Sequence, residues 1–200
     1  MRLAGMQDRS IYLVLAGIFW VAIMGFGFTK LYNYEFTGGT TDFIALKWPQ
    51  QTIIPRDDHL YQLVIFAHPQ CSCTNATMDE LEQIMAHTQG KVRTYVLFVQ
   101  LKKFNEKWVR SNLFKSTGRI PGVRVMVDDE AKQARLFGAT TSGQIYLYDP
   151  QGRLVFMGGI TASRGHSGDN AGQSAVIALI NDRSSNIHRT PFFGCLLYDK

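Results

Sequence analysis

An uncharged apolar run near the start of the chain limits its architecture more than any other feature. Residues 11–28 read IYLVLAGIFWVAIMGFGF and contain no charged side chain. A helix needs about 17–25 such residues to cross a bilayer, so this run is just long enough. It also lacks the polar stripe at helical spacing that marks a helix on the surface of a soluble domain. We therefore predict one N-terminal transmembrane helix, anchored through residues 11–28, within residues 1–30.

The charges around this run predict its orientation. Arg2 and Arg9 precede it and Lys30 follows it, a modest excess that favours a cytoplasmic N-terminus. Bulky aromatic residues in the segment Gly25-Phe26-Gly27-Phe28 disfavour a small-x-small cleavage site. We expect an uncleaved, single-pass anchor in the inner (cytoplasmic) membrane and a C-terminal domain in the periplasm or another extracytoplasmic space. A cleavable signal peptide is the alternative.

The remaining chain divides into a linker and one folded domain. Residues 31–59 mix Gly38, Gly39, Pro49 and Pro55 with polar residues, which is typical of a linker, with one short strand near 41–46. Residues 60–200 alternate apolar strands with amphipathic helices and then show a hairpin signal at 149–152. The pattern predicts an α/β fold, a mixed sheet flanked by helices. Strands are expected at 63–67, 92–99, 123–127, 144–148 and 154–157, and helices at 73–88, 105–115, 130–137 and 170–181.

The charge distribution argues against a nucleic-acid partner. The formal net charge is +5, but the longest basic cluster is only Lys102, Lys103, Lys107 and Arg110. Such scattered charge is typical of a solvated surface. We expect no nucleic acid to bind.

Three cysteines are the strongest candidates for chemistry. They form the pair Cys71-Ser72-Cys73 and the distant Cys195, which is too few for a disulfide framework. Cys71 lies between a predicted buried strand and a predicted helix, where the free N–H groups of the helix stabilise a thiolate. That effect is worth about 0.3–2 kcal/mol, so further help would have to come from Cys73 or from a charged His68.

The same segments resemble a known fold family. The phrases VIFAHPQCSCTNATMDEL and VDDEAKQARLFGATTSGQIYLYDPQGRLVFMGG are similar to the thioredoxin-like superfamily, in particular to membrane-tethered domains of the TlpA/ResA type. With GGITASRGHSGDNAG and TPFFGC, the chain most resembles bacterial RedB-type redox proteins over about residues 60–195. The resemblance implies a thioredoxin-like, redox-active exported domain that acts by thiol–disulfide exchange. It would use Cys71 as the attacking thiolate, Cys73 as resolving or stabilising thiol and Cys195 as a possible second resolver.

The sequence departs from the thioredoxin pattern at two places. The second cysteine comes one residue early, which leaves Thr74 in the resolving position and makes a Cys71–Cys73 disulfide a small, strained ring. The position of the family's cis-proline is occupied by Gly143, after Ser142. We expect this pair to face the thiols and to support substrate binding.

The polar loop around Arg164 and His166 is the other candidate for recognition. Its alternative is a plain connection that caps the last helix. The expected partners are protein thiols or disulfides and a redox partner that resets the cysteines, with no cofactor.

Two other functions stay open from the sequence. One is a copper-binding assembly or delivery protein that uses Cys71, Cys73 and His68, since thiolates and an imidazole suit soft metals. The other is a non-catalytic thioredoxin-like adaptor. The sequence alone leaves the role of Cys195 undecided among a buried residue, a tether and a resolving thiol.

Overall fold

The computed structural model describes residues 4–198, with side chains described from residue 11 onward. The chain separates after Thr37 into an N-terminal unit and a compact unit that begins at Gly38.

The N-terminal unit is a single helix, α1 (Ala4–Phe36). Its stretch Ile11–Phe36 has a mean hydropathy of 2.2 and is long and apolar enough to cross a membrane. The helix extends beyond the predicted anchor, through six residues of the predicted linker. Side chains such as Phe19, Trp20 and Phe26 are exposed, as expected for a helix whose partner is lipid.

The compact unit follows the predicted alternation of strands and helices. The strands are β1 (Tyr61–Ala67), β2 (Val92–Gln100), β3 (Val123–Asp129), β4 (Gln144–Tyr148) and β5 (Leu154–Gly158). The helices are α2 (Cys73–His87), α3 (Glu106–Val109), α4 (Asn112–Thr117), α5 (Lys132–Phe137) and α6 (Ala171–Ile180).

The five strands form one mixed sheet in the order β3-β2-β1-β4-β5. Strand β1 pairs in parallel with β2 and antiparallel with β4, so it is the central strand. The outer pairs are β2 with β3, parallel, and β4 with β5, antiparallel. Two apolar clusters cover the two faces, one containing Leu63 and Ile65, the other Val64 and Phe66. The alternation along β1 shows that this strand is buried on both faces, as its continuous apolar run predicts.

The predicted helix at 105–115 is broken in two. Asn105 caps α3 by accepting a hydrogen bond from the Trp108 N–H, and Ser111 caps α4 by accepting one from the Phe114 N–H. A second capping residue inside the segment starts a new helix, which explains the break.

Residues 38–59 pack against the sheet, whereas the sequence predicts a free linker. Trp48 forms edge contacts with Phe137 and Tyr148, at centroid distances of 5.7 and 5.2 Å. An isolated bridge at Lys47, paired with Arg153, replaces the strand expected near 41–46. The aromatic and apolar residues scattered between the prolines supply the buried area that holds this segment in place.

Candidate functional site

Cys71 lies where the central strand meets the first helix of the domain. It follows β1 through the turn His68-Pro69-Gln70, in which the Cys71 N–H donates to the His68 carbonyl at 3.1 Å. Helix α2 then begins at Cys73, two residues later. Cys71 is only 2% exposed, Cys73 is half-buried and Cys195 is exposed. The pair therefore occupies the predicted strand–helix junction, with its first sulfur covered.

The C-terminal segment brings Cys195 to this junction. The Ser142 N–H donates to the Cys195 carbonyl at 2.8 Å, and the Leu197 N–H donates to the Thr140 carbonyl at 2.9 Å. These bonds form a short antiparallel bridge along the loop that precedes β4. Gly194 packs so closely that a Cβ there would lie 2.1 Å from the Ser142 carbonyl oxygen. Backbone pairing and close packing thus fix Cys195 in place.

The Cys71 thiol collects hydrogen bonds from both sides. Burial raises its pKa, but bonds donated by the Cys195 thiol, the Thr74 hydroxyl and both of their backbone N–H groups outweigh burial and hold the pKa of Cys71 below its ordinary value. Hydrogen bonds to the charged form of a group favour that form. The site therefore favours the thiolate form of Cys71.

A chain of hydroxyl groups orients the Thr74 donor. The His68 N–H donates to Ser142 Oγ at 2.8 Å, and the hydroxyls of Ser142 and Thr74 lie 2.6 Å apart. With Thr74 donating to Cys71, the Ser142 hydroxyl must donate to Thr74 Oγ1, and each oxygen is then satisfied. Both hydroxyl side chains are buried, which keeps competing water away.

The other two thiols are held in the neutral form. Burial, the charge of Cys71 and a hydrogen bond to Cys71 raise the pKa of Cys73, against the opposing charge of Arg164. Partial burial, the hydrogen bond to Cys71 and the charges of Cys71 and Cys73 raise the pKa of Cys195 to about 12. Among the three cysteines, the site therefore favours the charged form at Cys71 and disfavours it at Cys73 and Cys195.

His68 joins the site through its backbone N–H, and its ring packs beside another element. Its imidazole packs edge-on against Trp108 at 5.1 Å, and Nδ1 accepts a bond from the Gln70 N–H at 3.3 Å. Burial lowers the pKa of His68, which favours the neutral ring. A charged His68 as a source of help for the thiolate stays a prediction, and burial opposes it.

Gly143 takes the backbone geometry that its position requires. Its φ of +85° lies in the left-handed region, and a Cβ there would come 2.8 Å from Thr77 Oγ1. The Gly143 N–H donates to the Phe66 carbonyl at 2.8 Å. Glycine thus lets the loop turn back onto β1 without a cis bond, and the Ser142 hydroxyl reaches Thr74 rather than the thiols themselves.

Arg164 lies beside the cluster and His166 faces its own loop. Arg164 Nη1 donates to the Gly194 carbonyl at 2.6 Å, and the guanidinium also hydrogen bonds with Cys73. His166 Nδ1 lies 2.9 Å from Ser163 Oγ and 3.1 Å from the Arg164 carbonyl oxygen. Arg164 therefore supports both the thiols and the segment that carries Cys195.

A buried carboxylate missed by the sequence analysis holds this loop against α2. Glu80 is 3% exposed and accepts hydrogen bonds from the Gly168 N–H and from the side chains of Gln173 and Asn170. It lies on α2 and its partners lie on the loop and α6. The sequence does offer a signal for Glu80, because an acidic residue on the apolar face of an amphipathic helix predicts a buried carboxyl group with hydrogen-bond partners.

The proposed metal ligands do not form a cluster. Among the side chains that the structure describes, no three from His, Cys, Asp and Glu are placed to share one metal ion. The His68 Nδ1 lone pair is occupied by a backbone N–H, and the Cys71 sulfur accepts several hydrogen bonds. The set Cys71, Cys73 and His68 fits a copper site poorly in this geometry.

No family model and no curated protein matches the sequence. Among solved structures, the chain is similar to a hypothetical protein from Sinorhizobium meliloti 1021, with a TM-score of 0.60 and 18% identity over 78% of this chain and 96% of that one. It is also similar to an uncharacterized conserved protein from Geobacillus kaustophilus, with a TM-score of 0.59 and 17% identity over 82% and 93%. A structure of MTB dsbF in its mixed oxidized and reduced forms has a TM-score of 0.44 and 13% identity, over 62% of this chain and 81% of that one. This similarity is too distant to bear on activity.

At sequence identities of 18% and 17%, the similarity to these structures bears on the fold alone. A central strand that leads into cysteines at a helix start, a parallel β-α-β unit and a closing antiparallel hairpin agree with the expected fold class. The chain has a thioredoxin-like fold, with Cys71 and Cys73 at the junction of its central strand and first domain helix.

Proposed function

We propose that this chain is a membrane-anchored thiol–disulfide oxidoreductase whose domain works outside the cytoplasm. The observation that carries the proposal is the placement of Cys71 just before helix α2, beside the Cys195 segment and Thr74, where hydrogen bonds lower its pKa. A thiolate is the form that attacks a disulfide or leaves one. The motifs around the cysteines favour a RedB-type redox protein within this class.

The chemistry needs only the sulfurs of the chain and a partner. In one turnover a partner disulfide accepts two electrons and two protons and becomes two thiols, while two cysteine thiols of the chain become one disulfide. The reverse reaction oxidises a partner dithiol. A further dithiol or disulfide partner resets the cluster, so no organic cofactor takes part.

The test of this function uses the full chain in detergent and oxidised glutathione as the disulfide probe. Reduced wild-type chain should release two equivalents of glutathione thiol and become oxidised internally, and a dithiol should reverse the change. Cys71→Ser should react far more slowly and without reversible internal oxidation, because it lacks the only thiol with a lowered pKa among the three cysteines. Equal rates for this variant and wild type would refute the proposal.

The same variant separates the alternatives. Stoichiometric Cu(I) binding that disappears in Cys71→Ser, with no thiol release, would favour copper delivery. Neither exchange nor copper binding, with partner binding intact in Cys71→Ser and Cys73→Ser, would favour an adaptor.

The membrane placement needs its own measurement. The apolar stretch Ile11–Phe36 and the preceding arginines support an anchor with the domain outside the cytoplasm. A C-terminal alkaline phosphatase fusion, expressed in a bacterial host, should be active and stay in the membrane fraction after alkaline washing. An inactive fusion would contradict the orientation, and release from the membrane would contradict an uncleaved anchor.

A further inference from the structure

We propose that Cys195, rather than Cys73, is the disulfide partner of Cys71 and the sulfur at which partner proteins exchange. This inference rests on the proposed function and assigns roles within the same site. It makes the C-terminal segment that carries Cys195 a working part of the active site.

The geometry holds Cys195 next to Cys71 before any bond forms. The thiol and the backbone N–H of Cys195 both donate to Cys71 Sγ. The Cys195 carbonyl accepts from the Ser142 N–H, and the preceding Gly194 carbonyl accepts from Arg164. These two hydrogen bonds hold the backbone of residues 194 and 195 in place, so the Cys195 sulfur stays within reach of Cys71 in the reduced state.

Buried apolar anchors keep the same segment in place. Phe192 and Leu197 are 3% and 1% exposed, on either side of Cys195, and belong to the cluster on one face of the sheet. Burying such apolar side chains stabilises the contact of the segment with the sheet. The segment therefore holds Cys195 near Cys71 at a high effective concentration, as a docked peptide would.

Cys73 is less suited to close the disulfide with Cys71. It is the first residue of α2, and Cys71 lies just before that helix, so only Ser72 separates the two cysteines. A Cys71–Cys73 bond would therefore close a very small, strained ring. Pairing with Cys195, which belongs to a separate segment, involves no such ring.

Exposure assigns the direction of attack. Cys71 is 2% exposed, whereas Cys195 is exposed at the surface. A partner thiolate R–S⁻ therefore attacks Cys195 in the oxidised chain, the Cys71–Cys195 bond breaks, and Cys71 leaves as the thiolate that the site stabilises. A second partner thiolate then attacks the partner's own sulfur in the mixed disulfide, and Cys195 leaves and takes up a proton. The partner dithiol has become a disulfide and two electrons have passed to Cys71 and Cys195. Of the two protons that the partner thiols lose, one ends on Cys195 and the other goes to solvent, because Cys71 remains a thiolate.

The pKa values of the site agree with this order. A sulfur with a lowered pKa is the better leaving group, and the hydrogen bonds that lower the pKa of Cys71 are present whenever it leaves. The raised pKa of Cys195 makes it the sulfur that keeps the proton at the end of the cycle.

Peptide mapping of the full chain tests the pairing. Trypsin leaves Cys71 and Cys73 together in peptide 57–91 and Cys195 alone in peptide 190–200. After oxidation with oxidised glutathione and alkylation of free thiols, wild type and Cys73→Ser should both yield the cross-linked pair of peptides. Cys195→Ser should lose it. A wild-type disulfide confined to peptide 57–91, with Cys195 alkylated, would overturn the inference and leave the proposed function intact. No reversible disulfide of any kind would instead contradict the proposed function.

A second measurement locates the attack. Oxidised Cys73→Ser is treated briefly with one equivalent of reduced glutathione and quenched in acid. Each tryptic peptide then carries one cysteine, so the mass of the adduct identifies the attacked sulfur. Glutathione should be found on peptide 190–200, and an adduct mainly on peptide 57–91 would overturn the assignment of Cys195 as the exchange sulfur.

Discussion

The hydroxyl of Thr74 offers the sharpest test of how the site makes a thiolate. The change is Thr74→Val, which keeps the shape of the side chain and removes the hydroxyl that donates to Cys71. The Ser142 hydroxyl loses its acceptor at the same time, because the two oxygens lie 2.6 Å apart. The variant therefore removes one thiolate hydrogen bond and the chain that orients it.

The size of the effect follows from the charge on the acceptor. A hydrogen bond to a charged group is worth about 1.5–3 kcal/mol, and 1.36 kcal/mol changes a protonation ratio tenfold. The ratio of thiolate to thiol at Cys71 should thus fall by about 10- to 100-fold at any fixed pH. Because a more basic thiolate is also more nucleophilic, with a Brønsted slope of about 0.4–0.5, the alkylation rate should fall by only about 3- to 10-fold.

The assay is the pH dependence of iodoacetamide alkylation of Cys71 in the reduced full chain, read by fragmentation of peptide 57–91, which separates the label on Cys71 from that on Cys73. Below the midpoint of the wild-type profile, Thr74→Val should react more slowly. Above its own midpoint it should react at least as fast as wild type. The whole profile therefore shifts to higher pH.

Thr88→Val is the matched control. Thr88 is equally buried just after the C-terminal end of the same helix, and its hydroxyl donates to the Ile84 carbonyl at 2.7 Å, far from the cysteines. It should cost stability without moving the Cys71 profile. An unshifted profile in Thr74→Val, or the same shift in both variants, would refute the reasoning.

Three further predictions concern the segment that carries Cys195, the pKa of Cys195 and the buried Glu80. Gly194→Ala should displace the segment that carries Cys195 and reduce disulfide cross-linking to Cys71 several-fold, because the new Cβ would meet the Ser142 carbonyl oxygen at 2.1 Å; peptide mapping measures it. Cys71→Ser should lower the pKa of Cys195, about 12 in the native site, because it removes the charge and the hydrogen bond that raise it; alkylation of Cys195 at pH 9 should accelerate. Glu80→Ala should destabilise the domain by at least about 2 kcal/mol in urea unfolding, because it leaves several buried donors unpaired.

Each of these predictions has a control or an opposing result. Gly118→Ala has room for its Cβ, with the nearest atoms 3.7 Å away, and should leave the cross-linking unchanged. Cys73→Ser should accelerate alkylation of Cys195 less than Cys71→Ser does, because Cys73 contributes only a weaker charge effect. A Glu80→Ala domain as stable as wild type would show that the loop is held by other contacts.

Local patterns predict the fold of this protein well. The apolar run of β1, the amphipathic face of α2 and the hairpin at 149–152 each depend on neighbours in the chain, so their positions follow from spacing. The same holds for Cys71, whose place at a strand–helix junction is a local property. Periodicity alone missed the capping at Ser111 that divides one predicted helix into two.

Tertiary contacts decide the rest of the site. Cys195 is remote in sequence, and only the bridge between 140–142 and 195–197 brings it to Cys71. The lowered pKa of His68 follows from burial, and its ring packs against Trp108, which lies on another element. Thr74 had a usable signal, because it stands in the resolving position of the thioredoxin pattern, but its role depends on a hydroxyl at Ser142.

The reduction potential of the full chain tests the central claim most directly. The chain is equilibrated in glutathione buffers of graded ratio, and free thiols are quenched and counted by mass. A catalytic cluster should pass reversibly between a dithiol and a disulfide at a potential above about −300 mV, and Cys71→Ser should abolish that transition. A bond that stays oxidised to well below about −300 mV would be structural, and either that result or the absence of any transition would contradict the account.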